Sequence, residues 1–166
     1  MKVILMPNPY RDKQFKYAIR AREILEESGA TVRTCLPFDV DRDFVAPEQM
    51  HFDDLKTEVR GADMLVCFGG DGTILHASKL ATANHLPILG VNIGTMGFIA
   101  ELESGELELL RKIPKKEYTL EPRTMLDVTV TGVSGQHLLH ETALNDAVIT
   151  KGAIARVVQL AIYCDG

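Results

Sequence analysis

The chain of 166 residues has the composition of a soluble globular protein, with 46% hydrophobic and 25% charged residues. Its net charge of −5, without a cluster of uncompensated Lys and Arg, argues against a nucleic-acid-binding protein, which needs basic side chains to neutralise phosphates. No signal peptide, membrane-spanning run or basic amphipathic segment is visible, and the three cysteines lack disulfide or metal spacing, so we expect a cytoplasmic protein without a membrane partner.

Strands and helices alternate in the first half of the chain. The sequence predicts strands over 3–6, 31–35, 64–68 and 88–91, helices over 15–28 and 73–84, and a short helix over 54–61 in an otherwise irregular stretch. Such alternation implies parallel strands with right-handed crossovers, and therefore a doubly wound α/β sheet. Asn8 follows the first strand and is expected in a loop on the ligand side of this sheet.

A glycine-rich turn follows the central strand, with Asp71 enclosed by Gly70 and Gly72. Glycines take positive φ and let backbone N–H groups approach a ligand, and the following helix N-terminus adds partial positive charge, so the turn suits phosphate. A carboxylate there repels phosphate unless a metal ion bridges the two or the carboxylate accepts a proton. Asp71 is therefore the catalytic candidate, and the alternative is a cap for its own helix through the N–H groups of Thr73 or Ile74.

A second glycine-containing loop, residues 92–98, follows the next predicted strand. Loops at the carboxyl ends of neighbouring parallel strands meet at one crevice, so we expect both glycine loops to face the same ligand. Neither loop has the G-x-G-x-x-G or G-x-x-x-x-G-K-[ST] pattern, which argues against a standard dinucleotide-binding fold and a P-loop nucleotidase.

The pattern changes between residues 100 and 120. A short helix is predicted over 103–113. It is followed by period-two alternation over 126–131, a turn at 132–135, a returning strand over 137–140, and strand-like runs at 147–149 and 156–163. Asn145 and Asp146 could serve one ligand only where a strand ends or bulges, and an Asx turn is the alternative. The five histidines lack metal-ligand spacing, so no residue is assigned as a metal ligand.

Three stretches together resemble the nicotinamide adenine dinucleotide (NAD) kinases. They are Gly69-Gly70-Asp71-Gly72-Thr73, then residues 90–98, then Ala143-Leu144-Asn145-Asp146, in that order and approximate spacing. The resemblance implies phosphoryl transfer from ATP or polyphosphate to the adenosine-ribose 2′-hydroxyl of NAD, giving NADP, with Mg²⁺. It also implies an N-terminal doubly wound, Rossmann-like domain over 1–103, part of an all-β NAD-binding domain over 104–166, and a homo-oligomer, either a dimer or a tetramer.

The resemblance also assigns roles to individual residues. Asp71 would be the base or orienting group for the 2′-hydroxyl, Phe98 would pack near the adenine, and Asn145 and Asp146 would hold ribose hydroxyls or the neighbouring amide. Many members of the family have glutamate where this chain has Asp146. The remaining nucleotide-binding residues implied by the family motifs are Gly70, Gly72, Thr73 and Thr95.

The family pattern continues beyond Gly166 into further strands, so we expect the chain to be a fragment whose β-domain is incomplete and whose activity alone is not full. Exposed strand edges and apolar faces are expected in that part. Two other interpretations remain open from the sequence: a non-catalytic nucleotide-binding fragment, and a lipid or sugar kinase that shares the GGDG turn.

Overall fold

The computed structural model describes residues 1–94, 97–150 and 159–164, which form two compact units, Met1–Arg123 and Thr124–Gly166. The first unit is built on a five-stranded parallel sheet with the strand order β2-β1-β3-β4-β5. The strands are β1 (Lys2–Pro7), β2 (Thr31–Thr34), β3 (Met64–Gly69), β4 (Ile88–Asn92) and β5 (Leu102–Glu103). The predicted α/β class is confirmed. Sequence patterns missed β5, because its two residues are too few to show the alternation of apolar and polar residues that marks a strand.

Three α-helices and two 3₁₀ helices complete the described part of this unit. They are α1 (Lys16–Glu27), α2 (Leu55–Glu58), α3 (Asp71–Ala83) and the 3₁₀ helices Lys13–Phe15 and Leu107–Lys112. The helix predicted over 54–61 is therefore shorter, and the one predicted over 103–113 is a shorter 3₁₀ helix. None of the helices in the described part of the chain has the length and apolar character that a membrane span needs.

Both faces of the sheet are covered, as the doubly wound prediction requires. Side chains alternate along a strand, so Val66 and Phe68 of β3 pack in the core on the face that α1 covers. Leu65 and Cys67 of the same strand pack on the opposite face, against α3. β3 is buried along its whole length, which explains why it reads as a continuous apolar run in the sequence.

The strand order creates a crevice between β1 and β3. The chain leaves β1 through α1 towards β2 on one side, and leaves β3 through α3 towards β4 on the other side. The loops that follow β1 and β3 therefore diverge, and open α/β sheets bind ligands at such a switch in strand order. Asn8 and Gly70 are the residues that follow these two strands.

Residues 104–123 belong to the first unit. Leu107 and Leu110 are buried in the core beside α1, and the Arg20 guanidinium of α1 lies 2.6 Å from a carboxylate oxygen of Glu108. These contacts group residues 104–123 with the α/β unit, whereas the division expected from the family starts the second domain at residue 104.

The described part of the second unit contains an antiparallel hairpin of β6 (Leu126–Thr131) and β7 (His137–Ala143). The predicted turn at 132–135 is confirmed, with Gly135 at a φ of 83°. The strand predicted at 147–149 is wrong: these residues form no strand, because no described segment pairs with them. Of the run predicted at 156–163, residues 156–158 lie outside the described residues, and 159–163 are not in a strand.

Candidate functional site

The glycine turn links β3 to α3, and the surroundings of Gly69 differ from those of Gly70 and Gly72. Gly70 precedes α3 in an extended conformation with a φ of −116°, and Gly72 lies inside α3, so the expectation of positive φ at this turn is wrong. A Cβ added at Gly69 would collide with the buried Thr73 side chain, whereas a Cβ added at Gly70 or Gly72 would meet no atom within 4 Å. Packing of the protein thus requires Gly69, while Gly70 and Gly72 leave open space in front of the turn.

The carboxylate of Asp71 holds the second glycine loop. Its Oδ1 accepts hydrogen bonds from the backbone N–H groups of Phe98 and Ile99, both at 3.1 Å, and Oδ2 accepts from Phe98 at 3.2 Å. The described residues give no side-chain cap to α3, so the alternative that Asp71 caps its own helix is wrong. Because Oδ2 accepts only from Phe98 among the described residues, it keeps the capacity to accept a further hydrogen bond from a ligand.

Asn92 organises the start of the second loop from a buried position at the end of β4. Its Oδ1 accepts from the Gly94 N–H at 3.0 Å, and its Nδ2 donates to both carboxylate oxygens of Glu103 at 3.1 Å. Together with the contact between Phe98 and Asp71, these bonds bring the two glycine loops to one crevice, as predicted. Thr95, a predicted site residue, lies outside the described residues.

A cleft of about 440 Å³ opens at this crevice. Four predicted site residues line it together: Gly70, Asp71, Gly72 and Thr73. The lining also includes residues that the motifs did not identify, namely Asn8, Arg11, Phe38, His76 and Gly94. For Asn8 the signal was its place directly after the first strand, but nothing in the sequence marks Arg11 or Phe38, because they reach the cleft through the loops after β1 and β2.

The other predicted site residues are exposed. The side chain of Phe98 is 82% exposed, although its backbone is fixed by Asp71. Asn145 and Asp146 belong to the second unit and follow the end of β7, which is the strand-end location that the sequence required of them. The Asn145 Nδ2 donates to the Asp146 Oδ1 at 3.4 Å.

A larger cleft of about 750 Å³ lies between α1 and residues 47–49. Its charged lining includes Arg20 and Glu23, which form an ion pair with each other at 3.0 Å. It contains neither glycine loop, so the smaller cleft at Asp71 is the chemical candidate. Among the described residues, no group of three or more His, Cys, Asp or Glu side chains is arranged to hold a metal ion.

Comparison with known proteins gives a family match. Residues 3–118 match the family described as the ATP-NAD kinase N-terminal domain. The NAD kinase of Acetivibrio thermocellus is 31% identical over 98% of this chain and 55% of its own length, and that of Cutibacterium acnes is 33% identical over 98% and 51%. The NAD kinase of Carboxydothermus hydrogenoformans is 42% identical over 68% of this chain and 39% of its own length.

The chain spans about half the length of the curated relatives it matches. The match covers the parallel sheet from Val3 onwards, α1, α3, both glycine loops and the cleft at Asp71. The agreement between sequence motifs, strand order and family match leads to one conclusion: the chain belongs to the ATP-NAD kinase family.

Proposed function

We propose that this chain supplies the phosphoryl-transfer cleft of an NAD kinase, which moves a phosphoryl group from ATP or polyphosphate to the adenosine-ribose 2′-hydroxyl of NAD. The observation that carries the proposal is the position of Asp71, a carboxylate at the switch in strand order, inside a glycine-lined cleft and in a chain of this family. The relatives cited above are named NAD kinase, which favours this proposal over a lipid or sugar kinase.

Asp71 would orient the 2′-hydroxyl and accept its proton. The hydroxyl oxygen attacks the terminal phosphorus of the donor, the bond from that phosphorus to the bridging oxygen breaks, and the shortened donor leaves with the bond's electron pair. Phosphoryl transfer depends on in-line positioning and charge stabilisation more than on covalent catalysis. The backbone N–H groups of Phe98 and Ile99 support this role, since they fix the carboxylate before the substrate arrives.

The open space at Gly70 and Gly72 would admit the donor's phosphates close to the backbone at the start of α3. Mg²⁺ suits this cleft, because that ion is held by one or two carboxylates together with substrate phosphates, and Asp71 is the carboxylate among the described lining residues. When bound, the ion would offset the negative charge of the phosphates.

The acceptor would be held by residues that the family motifs supply. Phe98 would pack on the adenine, Asn145 and Asp146 would bind the ribose, and Thr95 would contact the nucleotide. We further propose a cytoplasmic homo-oligomer, a dimer or tetramer, that makes NADP. One face of the β6–β7 hairpin supports association, because it exposes the apolar side chains Leu126 and Val130.

The proposal is tested with the complete gene product in an assay specific for NADP, with NAD and ATP or polyphosphate as substrates and with Mg²⁺. NADP should accumulate with a matching loss of donor. Binding of NAD without any NADP formation would instead support a non-catalytic nucleotide-binding protein. Phosphorylation of a lipid or a sugar, with NAD left unchanged, would replace the NAD kinase proposal altogether.

A further inference from the structure

We propose that Arg11 binds the phosphate chain of the phosphoryl donor. This inference rests on the proposed kinase function and adds a residue that no sequence motif identified. Arg11 lines the same cleft as Asp71, and it is the one permanently cationic side chain among the described residues that do so. A triphosphate or polyphosphate chain beside a carboxylate needs such a compensating charge.

The guanidinium of Arg11 is available for a ligand. Within the described residues it makes no ion pair with a carboxylate, whereas Arg20 and Arg111 of the same unit are both paired with Glu108. A planar guanidinium presents several N–H donors in a fork that matches two oxygens of a phosphate group. An exposed, unpaired arginine at the edge of a glycine-lined cleft therefore fits a polyanion.

The backbone that carries Arg11 is fixed on its N-terminal side by Asn8. The Asn8 backbone N–H donates to the carbonyl oxygen of Phe68 in β3 at 2.8 Å, and its Nδ2 donates to Thr73 Oγ1 at 3.1 Å. The Asn8 carbonyl oxygen accepts from the Arg11 N–H at 3.1 Å. The loop after β1 is thus bonded directly to the glycine turn after β3.

Asp12 fixes the other side of Arg11. Its buried carboxylate accepts from the backbone N–H groups of Tyr17 at 3.1 Å and Ala18 at 3.0 Å, and so joins the loop to the first turn of α1. Its own N–H donates to the Asn8 carbonyl oxygen at 2.9 Å. Arg11 therefore lies on a preorganised loop between two anchored residues. Less backbone entropy of this loop is lost when the Arg11 side chain binds a ligand.

Arg11 is expected to bind the phosphates of the donor rather than the phosphates of NAD. The transferred phosphoryl group must lie next to the hydroxyl that Asp71 orients, and the rest of the donor's phosphate chain continues from it. Arg11 and Asp71 line one cleft from the segments that follow two neighbouring strands, β1 and β3. A chain that begins at Asp71 and runs across this strand pair reaches Arg11.

The test uses the complete gene product and three variants: Arg11→Gln, Arg11→Lys and, as the matched control for loss of a charge, Arg60→Gln, an exposed arginine outside the cleft. Initial rates of NADP formation are measured with ATP or tripolyphosphate varied at saturating NAD, and with NAD varied at saturating donor. Arg11→Gln should raise the KM for both donors by about 10- to 100-fold, as expected for a lost charge-assisted contact. The KM for NAD should stay within about twofold, and Arg11→Lys should retain part of the donor affinity.

Several outcomes would overturn the inference while leaving the kinase function intact. They are an unchanged KM for both donors, a rise in the KM for NAD alone, or a defect with ATP that is absent with tripolyphosphate. If the wild-type protein forms no NADP, the proposed function fails first, and calorimetric titration with tripolyphosphate decides the role of Arg11. Tripolyphosphate binding that is lost in Arg11→Gln but kept in Arg60→Gln supports the assignment. Equal binding by the wild type, Arg11→Gln and Arg60→Gln overturns it.

Discussion

The two hydrogen-bonding duties of Asp71 can be separated by comparing Asp71→Asn with Asp71→Ala. In the wild type, both loop N–H groups donate to Oδ1, and Oδ2 is the oxygen with capacity left for a substrate. An asparagine that places its amide oxygen at the Oδ1 position keeps the bonds from Phe98 and Ile99 but cannot accept a proton. An alanine loses both the loop contacts and the proton acceptor.

The structure sets the expected magnitudes. Loss of a positioned acid–base group lowers turnover by about 10²- to 10⁴-fold. The kcat of both variants should therefore fall by at least about 100-fold, with NAD binding largely retained. Asp71→Ala should in addition lower the free energy of unfolding by about 1–3 kcal/mol, because two N–H groups lose a charged acceptor. Asp71→Asn should stay within about 1 kcal/mol of the wild type on the same scale.

Turnover is measured as NADP formation, stability by denaturant unfolding, and loop order by hydrogen exchange at the amides of Phe98 and Ile99. Exchange at these two amides should accelerate in Asp71→Ala and stay slow in Asp71→Asn. Asp43→Asn is a matched control, since Asp43 is exposed and does not line the cleft. Wild-type turnover in Asp71→Asn would refute a role for the carboxylate in transfer, and equally fast exchange in both Asp71 variants would refute the separation of duties.

Three further changes probe the packing around the cleft. Gly72→Ala, in the first turn of α3 with open space around it, should raise stability by about 0.4–1 kcal/mol yet lower turnover, whereas Gly69→Ala should destabilise the fold because of its collision with a buried side chain. Asp12→Ala should cost about 1–2 kcal/mol through the lost acceptor at the start of α1, measured by denaturant unfolding. Burial raises the pKa of the Asp12 carboxyl in the folded protein above its ordinary value of 3.8. The free energy of unfolding of the wild type should therefore fall as the pH rises from 3.8 through the folded-state pKa, and Asp12→Ala should lack this pH dependence. Burial raises the pKa of the Cys67 thiol to about 12, so this cysteine should react with a thiol reagent at pH 8 only after denaturant is added.

These expectations fail in distinguishable ways. A Gly72→Ala protein with normal turnover would show that the open space there is not used by a substrate. Unchanged stability in Asp12→Ala would mean that water replaces its carboxylate at the start of α1. Rapid native labelling of Cys67 would indicate that α3 opens away from the sheet.

Local patterns were sufficient for the strands and helices around the cleft. The continuous apolar run of β3 and the helical spacing of α1 depend on burial of one element against its neighbours, and such patterns are visible along the chain. The strand predicted at 147–149 failed, because a strand requires a pairing partner that the pattern of a single segment does not specify. The segment Leu107–Lys112 was predicted as a short helix from its apolar residues, and only the structure shows that it is a 3₁₀ helix.

The sequence alone determined the class of fold, the family and the acidic residue of the glycine turn, because those depend on residue order within short stretches. Only the tertiary structure decided what that residue contacts: Asp71 accepts hydrogen bonds from Phe98 and Ile99, which are far from it along the chain. It also decided that Arg11 lines the cleft. Parallel strands bring their carboxyl ends to one edge whatever their separation in sequence, so loops after β1 and β3 meet although no spacing rule connects them.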